Sequence, residues 1–270
     1  MKKIMTLAAM FAAVAMTFSA CNKENQPDGG NNNGGNNTEN NGGENNGGEN
    51  TPEAIDLGIV IDGDFADWAA VPAEHLYSAT CAEGATYTAL KAFKVCADEL
   101  YINVYFEYDV EQVVDLSWTP IHLYFNADNS AETGGGDAAW SDADAETMLE
   151  GVFAADGAFV SFDPAKFHWW GEAGTTGWNW TDPDETFADG DGKNWGADQP
   201  EGSGISEGAG VVAEGKYELQ ILKEMVQGTQ WADTFTVGID IQQNWSTVGQ
   251  LPNASGEGVT CTKLVVNVAK

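Results

Sequence analysis

Apolar and polar residues alternate with a period of two through much of the chain after residue 54. Leu100, Ile102, Val104 and Phe106 alternate with Tyr101, Asn103, Tyr105 and Glu107, and this period predicts a strand with one face turned inward. The same pattern predicts strands over residues 86–96, 121–126, 217–221, 235–241 and 264–268. Weaker signals predict strands over residues 58–61, 147–154 and 158–162.

Ala97, Asp98 and Glu99 separate two of these segments and predict a hairpin between them. A helical pattern is confined to the short segment 222–227. About eight to ten strands without alternating helices predict an all-β protein, either an antiparallel β-sandwich or a jelly roll. Residues 54–270 are long enough to form that sandwich as one ligand-binding domain.

The N-terminus predicts export and a lipid anchor. Lys2 and Lys3 precede an apolar run that ends at Phe18, which is typical of a signal peptide over residues 1–20 and too short for a membrane span. Ordinary cleavage disfavours a bulky residue at the position of Phe18, whereas Phe18-Ser19-Ala20-Cys21 resembles a bacterial lipobox. Cys21 is therefore the predicted lipidation site. Plain secretion is the alternative.

Residues 21–53 predict a flexible linker after the lipidated cysteine. Residues 29–50 contain only Gly, Asn and Glu apart from Thr38, so they offer no apolar side chain to bury. A coil of about 30 residues has a reach of roughly 30 Å. Beyond the linker, Cys81, Cys96 and Cys261 are an odd number, which permits at most one disulfide. We expect at least one of them to be a small buried side chain.

The charge limits the classes of partner. The chain has 11 basic and 42 acidic residues and a formal net charge of −31. Nucleic acids need clustered cations and are excluded as partners, and polyanionic glycans are disfavoured for the same reason. Neutral ligands fit better, although an acidic surplus also serves solubility alone.

A tryptophan-rich stretch, residues 167–195, holds five of the ten tryptophans among Gly, Asn, Thr and Pro, a composition typical of loops. Tryptophan faces displayed on a loop bind sugar rings, whose C–H faces are apolar. The candidate ligand-binding residues are Trp169, Trp170, Trp178, Asn179, Trp180, Asp182, Asn194 and Trp195, joined by Asn244 and Trp245 from a loop after a strong strand. The alternative is that the five tryptophans plug one end of the sandwich. Trp68 is expected in the core.

Dense carboxylates make calcium the candidate cofactor, because Ca²⁺ takes six to eight oxygen ligands. The candidate metal ligands are Asp128, Asn129, Glu132, Asp142 and Asp144. None of the acidic segments completes an EF-hand pattern, and the alternative is that these side chains cap their own turns.

Catalysis has little support in the sequence. No G-x-S-x-G frame is present, and His75, His122 and His168 are the three histidines. His122 lies in a period-two segment, so we interpret it as a histidine on a sheet face rather than a general base. We expect a non-catalytic protein.

Several motifs resemble those of family 9 carbohydrate-binding modules and related DOMON-like sandwiches. They are I-D-G-D-F-A-D-W at residues 61–68, D-E-L-Y-I at 98–102, L-Y-F-N-A-D-N-S at 123–130 and D-A-E-T-M-L-E-G at 144–151. Gln250-Leu251-Pro252 is similar to a motif of sandwich lipoproteins displayed by Gram-negative gut bacteria. The resemblance implies a sugar-binding sandwich, often with structural calcium, although Asn126 stands where the family often has Asp.

These observations predict a lipid-anchored, non-catalytic surface protein that holds neutral oligo- or polysaccharide on its tryptophan-rich loop, with outer-membrane uptake proteins as partners. The alternative is a structural or protein-binding sandwich subunit of an outer-membrane complex.

Overall fold

The computed structural model describes residues 55–114, 119–135, 144–152, 162, 164–168, 203–253 and 263–270. The predicted signal peptide, Cys21, the linker and Cys261 lie outside the described residues. The described part contains eleven strands in two antiparallel sheets that pack face to face. The predicted all-β sandwich is therefore confirmed. None of the helices described there has the length and hydropathy that a membrane span needs.

Sheet one contains five strands in the spatial order β1, β2, β3, β8, β7. Their bounds are β1 Tyr77–Thr80, β2 Leu90–Ala97, β3 Tyr101–Tyr108, β8 Lys216–Leu222 and β7 Ser206–Val211. Sheet two has the order β10, β9, β4, β5, β6, and β11 also pairs with β9. Their bounds are β10 Ser246–Leu251, β9 Thr234–Gln243, β4 Ile121–Asn126, β5 Thr147–Gly151, β6 Ala165–His168 and β11 Leu264–Asn267. Short 3-10 helices cover Asp67–Ala69, Val212–Glu214 and Lys223–Met225.

The core lies between the two sheets and contains the apolar positions of the period-two pattern. Val104 and Phe106 of β3 meet Leu123 of β4 and Ile239 of β9 in one fully buried cluster. The prediction was wrong for Leu100, which is 56% exposed in the hairpin between β2 and β3. Asp98 forms this turn, because its Oδ1 accepts hydrogen bonds of 2.8 Å from the backbone N–H groups of Leu100 and Tyr101.

Some predicted elements differ at their bounds. Residues 58–61 form no strand, because their N–H groups bond to nearby carboxylates, as in Val60 N to Asp67 Oδ2 at 2.7 Å. The segment predicted over 147–154 is the shorter β5, and the one predicted over 86–96 begins at Leu90. Of residues 158–162, Phe162 alone is described, and it is buried. Cys96 is a buried free thiol, as expected for at least one cysteine.

The N-terminal segment of the domain covers the outer face of sheet one. Trp68 is 1% exposed and packs against Tyr105, with ring centroids 5.7 Å apart. Its Nε1–H donates to Glu218 Oε2 over 2.9 Å, and the N–H groups of Asp62 and Gly63 donate to Glu218 Oε1 over 3.1 and 2.8 Å. The predicted core position of Trp68 is confirmed. Glu218 therefore joins the I-D-G-D-F-A-D-W motif to the centre of the sheet.

The sandwich has two distinct ends. We call one the β9–β10 end: there the hairpin after Gln243 lies beside Gln112, whose carbonyl accepts a hydrogen bond from Gln243 Nε2. We call the other the β2–β3 end: there Ala232 N donates to Ala127 O over 2.8 Å, and Lys223 N donates to Leu100 O over 3.0 Å. Antiparallel β9 spans the distance between the two ends.

Candidate ligand-binding site

Two of the ten predicted ligand-binding residues, Asn244 and Trp245, are described, and both lie at the β9–β10 end. The others lie outside the described residues and stay predictions: Trp169, Trp170, Trp178, Asn179, Trp180, Asp182, Asn194 and Trp195. Within the tryptophan-rich stretch, the structure describes Phe167 and His168, the last two residues of β6. His168 pairs with Thr147, and Thr147 pairs with Phe125 near the end of β4, so His168 lies at the β2–β3 end. Asn244 and Trp245 are therefore the members of the predicted site whose geometry the structure describes.

Asn244 and Trp245 form a two-residue turn between the paired residues Gln243 and Ser246. Both central residues have positive φ, 49° and 63°, which is the pattern of a type I′ turn that prefers Gly at the second position. A side chain in this left-handed region costs roughly 1–2 kcal/mol. Trp245 is also 83% exposed, so packing does not offset that cost. A large aromatic side chain kept in such a position is typical of residues that contact a ligand.

The sheet face beside this turn carries a row of polar side chains. Register places Gln250 beside Asp240, Asp240 beside His122, and His122 beside Glu150, all on the outer face of sheet two. His122 Nδ1 lies 2.6 Å from Asp240 Oδ1, and His122 Nε2 lies 2.7 Å from Glu150 Oε2. Asp240 is completely buried, whereas the Glu150 side chain is 30% exposed. The row therefore leads from the interior to solvent.

Electrostatics hold His122 in its charged form. Burial opposes protonation of the ring, but the charge of Asp240, its hydrogen bond and the same two contributions from Glu150 raise the pKa of His122 to about 10. Both ring nitrogens are engaged by carboxylates, so this imidazolium has no free nitrogen with which to abstract a proton. The predicted position of His122 on a sheet face is confirmed.

Hydrogen-bonding groups lie between this row and the turn. Gln242 follows Asp240 by two residues on β9 and pairs with Thr247 of β10, so both lie on the same outer face and both are partly exposed. Gln242 and Thr247 offer an amide and a hydroxyl beside the turn, and Glu150 adds a carboxylate farther along the same face, on β5. Such a set can bind hydroxyl groups, which both donate and accept hydrogen bonds. Sequence reasoning missed these residues, although polar outward positions on central strands were the available signal.

The four predicted metal ligands that are described lie after β4, at the end of the sandwich opposite Trp245. Asp128 Oδ1 accepts from Ser130 N at 2.9 Å, and its Oδ2 accepts from Thr133 Oγ1 at 2.8 Å. Asp144 Oδ2 lies 2.8 Å from Lys263 Nζ. Asn129 adopts a left-handed φ of 56°, Glu132 is exposed at the surface, and Asp142 lies outside the described residues. The contacts of Asp128 are those of turn capping, and Asp144 forms an ion pair with Lys263.

Glu146 is a buried carboxylate beside this loop that sequence reasoning missed. Its Oε1 accepts from the N–H of Ala127 and, over 2.9 Å, from the N–H of Asp128. Within the described residues its buried Oε2 has no hydrogen-bond partner. Burial raises the pKa of Glu146 to about 7. No group of three His, Cys, Asp or Glu side chains comes together as a metal site in the part of the chain described here. Calcium therefore stays a prediction.

Bound calcium would stabilise the native state alone, so we expect a chelator to lower the melting temperature of the protein. A thermal unfolding scan with and without EDTA measures this, with magnesium added back as a control for calcium specificity. Equal melting temperatures with and without EDTA would contradict a bound calcium ion.

Comparison with known proteins adds no relative: no family model, no curated protein and no solved structure matches this chain. The resemblance to family 9 carbohydrate-binding modules therefore rests on its short motifs. Function is therefore inferred from the residues of the site rather than from homology or fold.

Proposed function

We propose that this protein is a non-catalytic glycan-binding lipoprotein, which holds neutral oligo- or polysaccharide at the bacterial surface. The observation that carries the proposal is Trp245, an indole that is 83% exposed in a left-handed turn position. Neither the core nor the turn accounts for a tryptophan there. A flat apolar face in solvent is what a pyranose ring needs for stacking.

The energetics suit reversible capture. Covering about a third of a tryptophan's area of 150–250 Å² contributes on the order of 1–2 kcal/mol at about 25 cal/mol per Å². Gln242 and Thr247 would form hydrogen bonds with sugar hydroxyls, and the Glu150 carboxylate would accept hydrogen bonds from them, which adds to this contact and orients the sugar. The tryptophans of residues 167–195 are proposed as further platforms, so that several weak contacts along one polymer act together.

Charge supports neutral ligands. The formal net charge is −31, and the polar row beside the turn contributes Asp240 and Glu150 against a single imidazolium. A polyanionic glycan would meet repulsion both from the whole molecule and from this surface. Sugars without carboxylate or sulfate groups avoid it. Anchoring through Cys21 and the linker over residues 21–53 would let the domain search near the outer membrane for such polymers and pass them to uptake proteins.

A protein-binding role is the second candidate, and one observation favours it. Val110, Val114 and Val152 are exposed at the same β9–β10 end, with Val114 at 75%. Exposed apolar side chains that lie near an exposed tryptophan also occur in protein interfaces. A partner that is captured equally well by the wild type and by Trp245→Ala, while no polysaccharide binds, would favour this alternative.

Affinity electrophoresis through gels that contain single neutral polysaccharides tests the proposal. We expect at least one polysaccharide to retard the wild-type protein, and Trp245→Ala to weaken that retention roughly tenfold, because 1–2 kcal/mol of stacking is lost. Trp178→Ala and Trp180→Ala test the platforms proposed from sequence in the same gels. Leu100→Ala is the matched control, since it removes an exposed apolar side chain at the opposite end.

Trp245→Gly separates binding from folding. Gly adopts positive φ without strain, so this variant should be more stable than Trp245→Ala by about 1 kcal/mol and should bind equally weakly. Urea unfolding measures the first and the gels measure the second. Full retention by either variant would contradict a role for Trp245 in binding.

A further inference from the structure

A cavity of about 520 Å³ opens at the β2–β3 end of the sandwich, away from Trp245. The segment between β8 and β9 forms most of its wall, and Glu99 and the C-terminal residues Val268 and Lys270 close it. Its volume is within the range of about 300–1,000 Å³ that is typical of small-ligand sites. The proposed site around Trp245 uses none of these residues.

Trp231 supplies an apolar wall that is held in place by the core. Its ring meets Phe125 edge to face, with centroids 5.3 Å apart at 83°, and Phe235 in the same way at 5.6 Å and 73°. Trp231 Nε1 donates to Lys223 O over 3.4 Å, which fixes the ring further. The side chain is nevertheless only partly buried and borders the cavity. The cavity therefore has a rigid aromatic surface.

Lys223 lines the cavity and is a buried cation. It is 8% exposed, and its Nζ donates one hydrogen bond to Asp98 O. An ammonium group can donate three hydrogen bonds, so a ligand oxygen that reaches Nζ can accept another. Burial lowers the pKa of Lys223 to about 8, although the charges of Asp98, Asp233 and Glu99 oppose that shift. Burial deprives the ammonium of water, so a ligand oxygen that accepted a hydrogen bond from Nζ would stabilise its charge.

The charged groups at the cavity disfavour anions. Three carboxylates line it, those of Glu99, Glu224 and Asp233, against the two lysines, and Lys270 Nζ already pairs with Asp233 Oδ1 at 2.5 Å. A carboxylated or phosphorylated ligand would face a net negative surface. A neutral polyhydroxyl ligand can donate to the carboxylates and accept from Lys223, while its C–H face covers the indole.

We propose that this cavity is a second glycan subsite, which takes the terminal residue of a neutral saccharide with its ring against Trp231 and a hydroxyl against Lys223. A cavity admits a chain end or a short oligosaccharide, whereas the exposed Trp245 turn can contact the interior of a polymer. The two sites are separated by the ten residues of β9, roughly 30 Å at about 3.3 Å per residue. The inference rests on the proposed function for the class of ligand and uses a different surface for the contact.

Fluorine NMR of protein labelled with 5-fluorotryptophan tests this subsite. Trp231→Phe assigns the Trp231 resonance and keeps an aromatic ring against the core, and the buried Trp68 serves as an internal reference. Glucose, galactose, mannose, xylose and N-acetylglucosamine are added one at a time, with galacturonic acid as the anionic control. We expect at least one neutral sugar to shift the Trp231 resonance in a saturable way, no shift of Trp68, and no response to galacturonic acid.

Lys223→Met removes the ammonium and keeps the length of the side chain. It should weaken binding of the sugar that shifts the Trp231 resonance roughly tenfold, because one charged hydrogen bond is lost. Unchanged affinity in this folded variant would overturn the assignment of Lys223. The wild-type titration stands without any variant, so a misfolded Lys223→Met leaves the subsite testable.

The outcomes separate this inference from the proposed function. Retardation by a polysaccharide that depends on Trp245, with no sugar shifting Trp231, would overturn the cavity subsite alone. A sugar-dependent shift of Trp231 without retardation of the protein by any polysaccharide would support the subsite and remove the role of Trp245. If no polysaccharide retards the protein and no sugar shifts the Trp231 resonance, both the proposed function and the cavity subsite are overturned.

Discussion

Replacing Glu218 with alanine is expected to lower the free energy of unfolding by about 3–5 kcal/mol. Glu218 is completely buried, and its two oxygens accept three hydrogen bonds: from Asp62 N at 3.1 Å, Gly63 N at 2.8 Å and Trp68 Nε1 at 2.9 Å. Alanine leaves these donors without an acceptor beneath the N-terminal segment. Urea unfolding followed by tryptophan fluorescence measures the loss.

Glu207→Ala is the matched control, because Glu207 is an exposed carboxylate on the neighbouring strand β7 and pairs with Gln220 of β8. Its loss should change stability by no more than about 0.5 kcal/mol. Glu218→Gln keeps the volume but sets an amide N–H₂ against one of the donors, so it should fall between the two alanine variants. A Glu218→Ala protein as stable as Glu207→Ala would show that Glu218 does not hold the N-terminal segment in place.

Raising the pH is expected to destabilise the protein through His122. The folded-state pKa of His122 is raised to about 10, above an ordinary value of about 6.5, because Asp240 and Glu150 outweigh the effect of burial. The stabilisation is therefore fully present below about pH 6.5 and is lost as pH rises through the folded-state pKa. Between these values the free energy of unfolding should fall by at most about 1.4 kcal/mol for each pH unit.

His122→Gln isolates this contribution, since it removes the titrating ring and keeps a polar side chain between the carboxylates. Glu146 and Lys223 also titrate in this range, with pKa values of about 7 and about 8, but they are present in both proteins. Urea unfolding between about pH 6 and pH 9 should show a gap between wild type and variant that narrows as the pH rises. A constant gap would contradict a charged His122 in the folded state.

Sequence patterns predicted the fold correctly wherever the environment of a residue depends on its immediate neighbours in the chain. The period of two placed Val104 and Ile239 in the core because successive strand residues face opposite sides of a sheet. The core position of Trp68 was predicted from its place after the Asp62-Gly63 turn, and the side chain is buried. Leu100 obeyed the same period and was still predicted wrongly, because Asp98 bends the chain into a hairpin before the strand begins.

Long-range register decided what the sequence could not predict. His122 and Asp240 are 118 residues apart, and their 2.6 Å contact exists only because β4 pairs with β9 in one particular register. Residues 58–61 carry strand-like composition, but carboxylates on their own segment take up their N–H groups. The alternation of apolar and polar residues predicts neither the register of β4 with β9 nor these hydrogen bonds.

The candidate site shows the same division. Trp245 was predicted from its place in a loop after a strong strand, whereas its positive φ and its exposure depend on the pairing of Gln243 with Ser246. Glu150 and Thr247 reach that region from β5 and β10, and the sequence gives no sign that they share a face. The cavity beside Trp231 depends in addition on the C-terminal residues that close it.

The central claim is that Trp245 contacts a bound glycan, and hydroxyl-radical footprinting read by mass spectrometry measures that contact without any mutation. Oxidation of Trp245 is compared in the free protein and in the presence of the polysaccharide that retards it, with Val60, which is 59% exposed, as reference. The account predicts rapid oxidation of Trp245 in the free protein and several-fold protection in the complex, while Val60 is unchanged. Equal oxidation of Trp245 with and without a bound polysaccharide would contradict it.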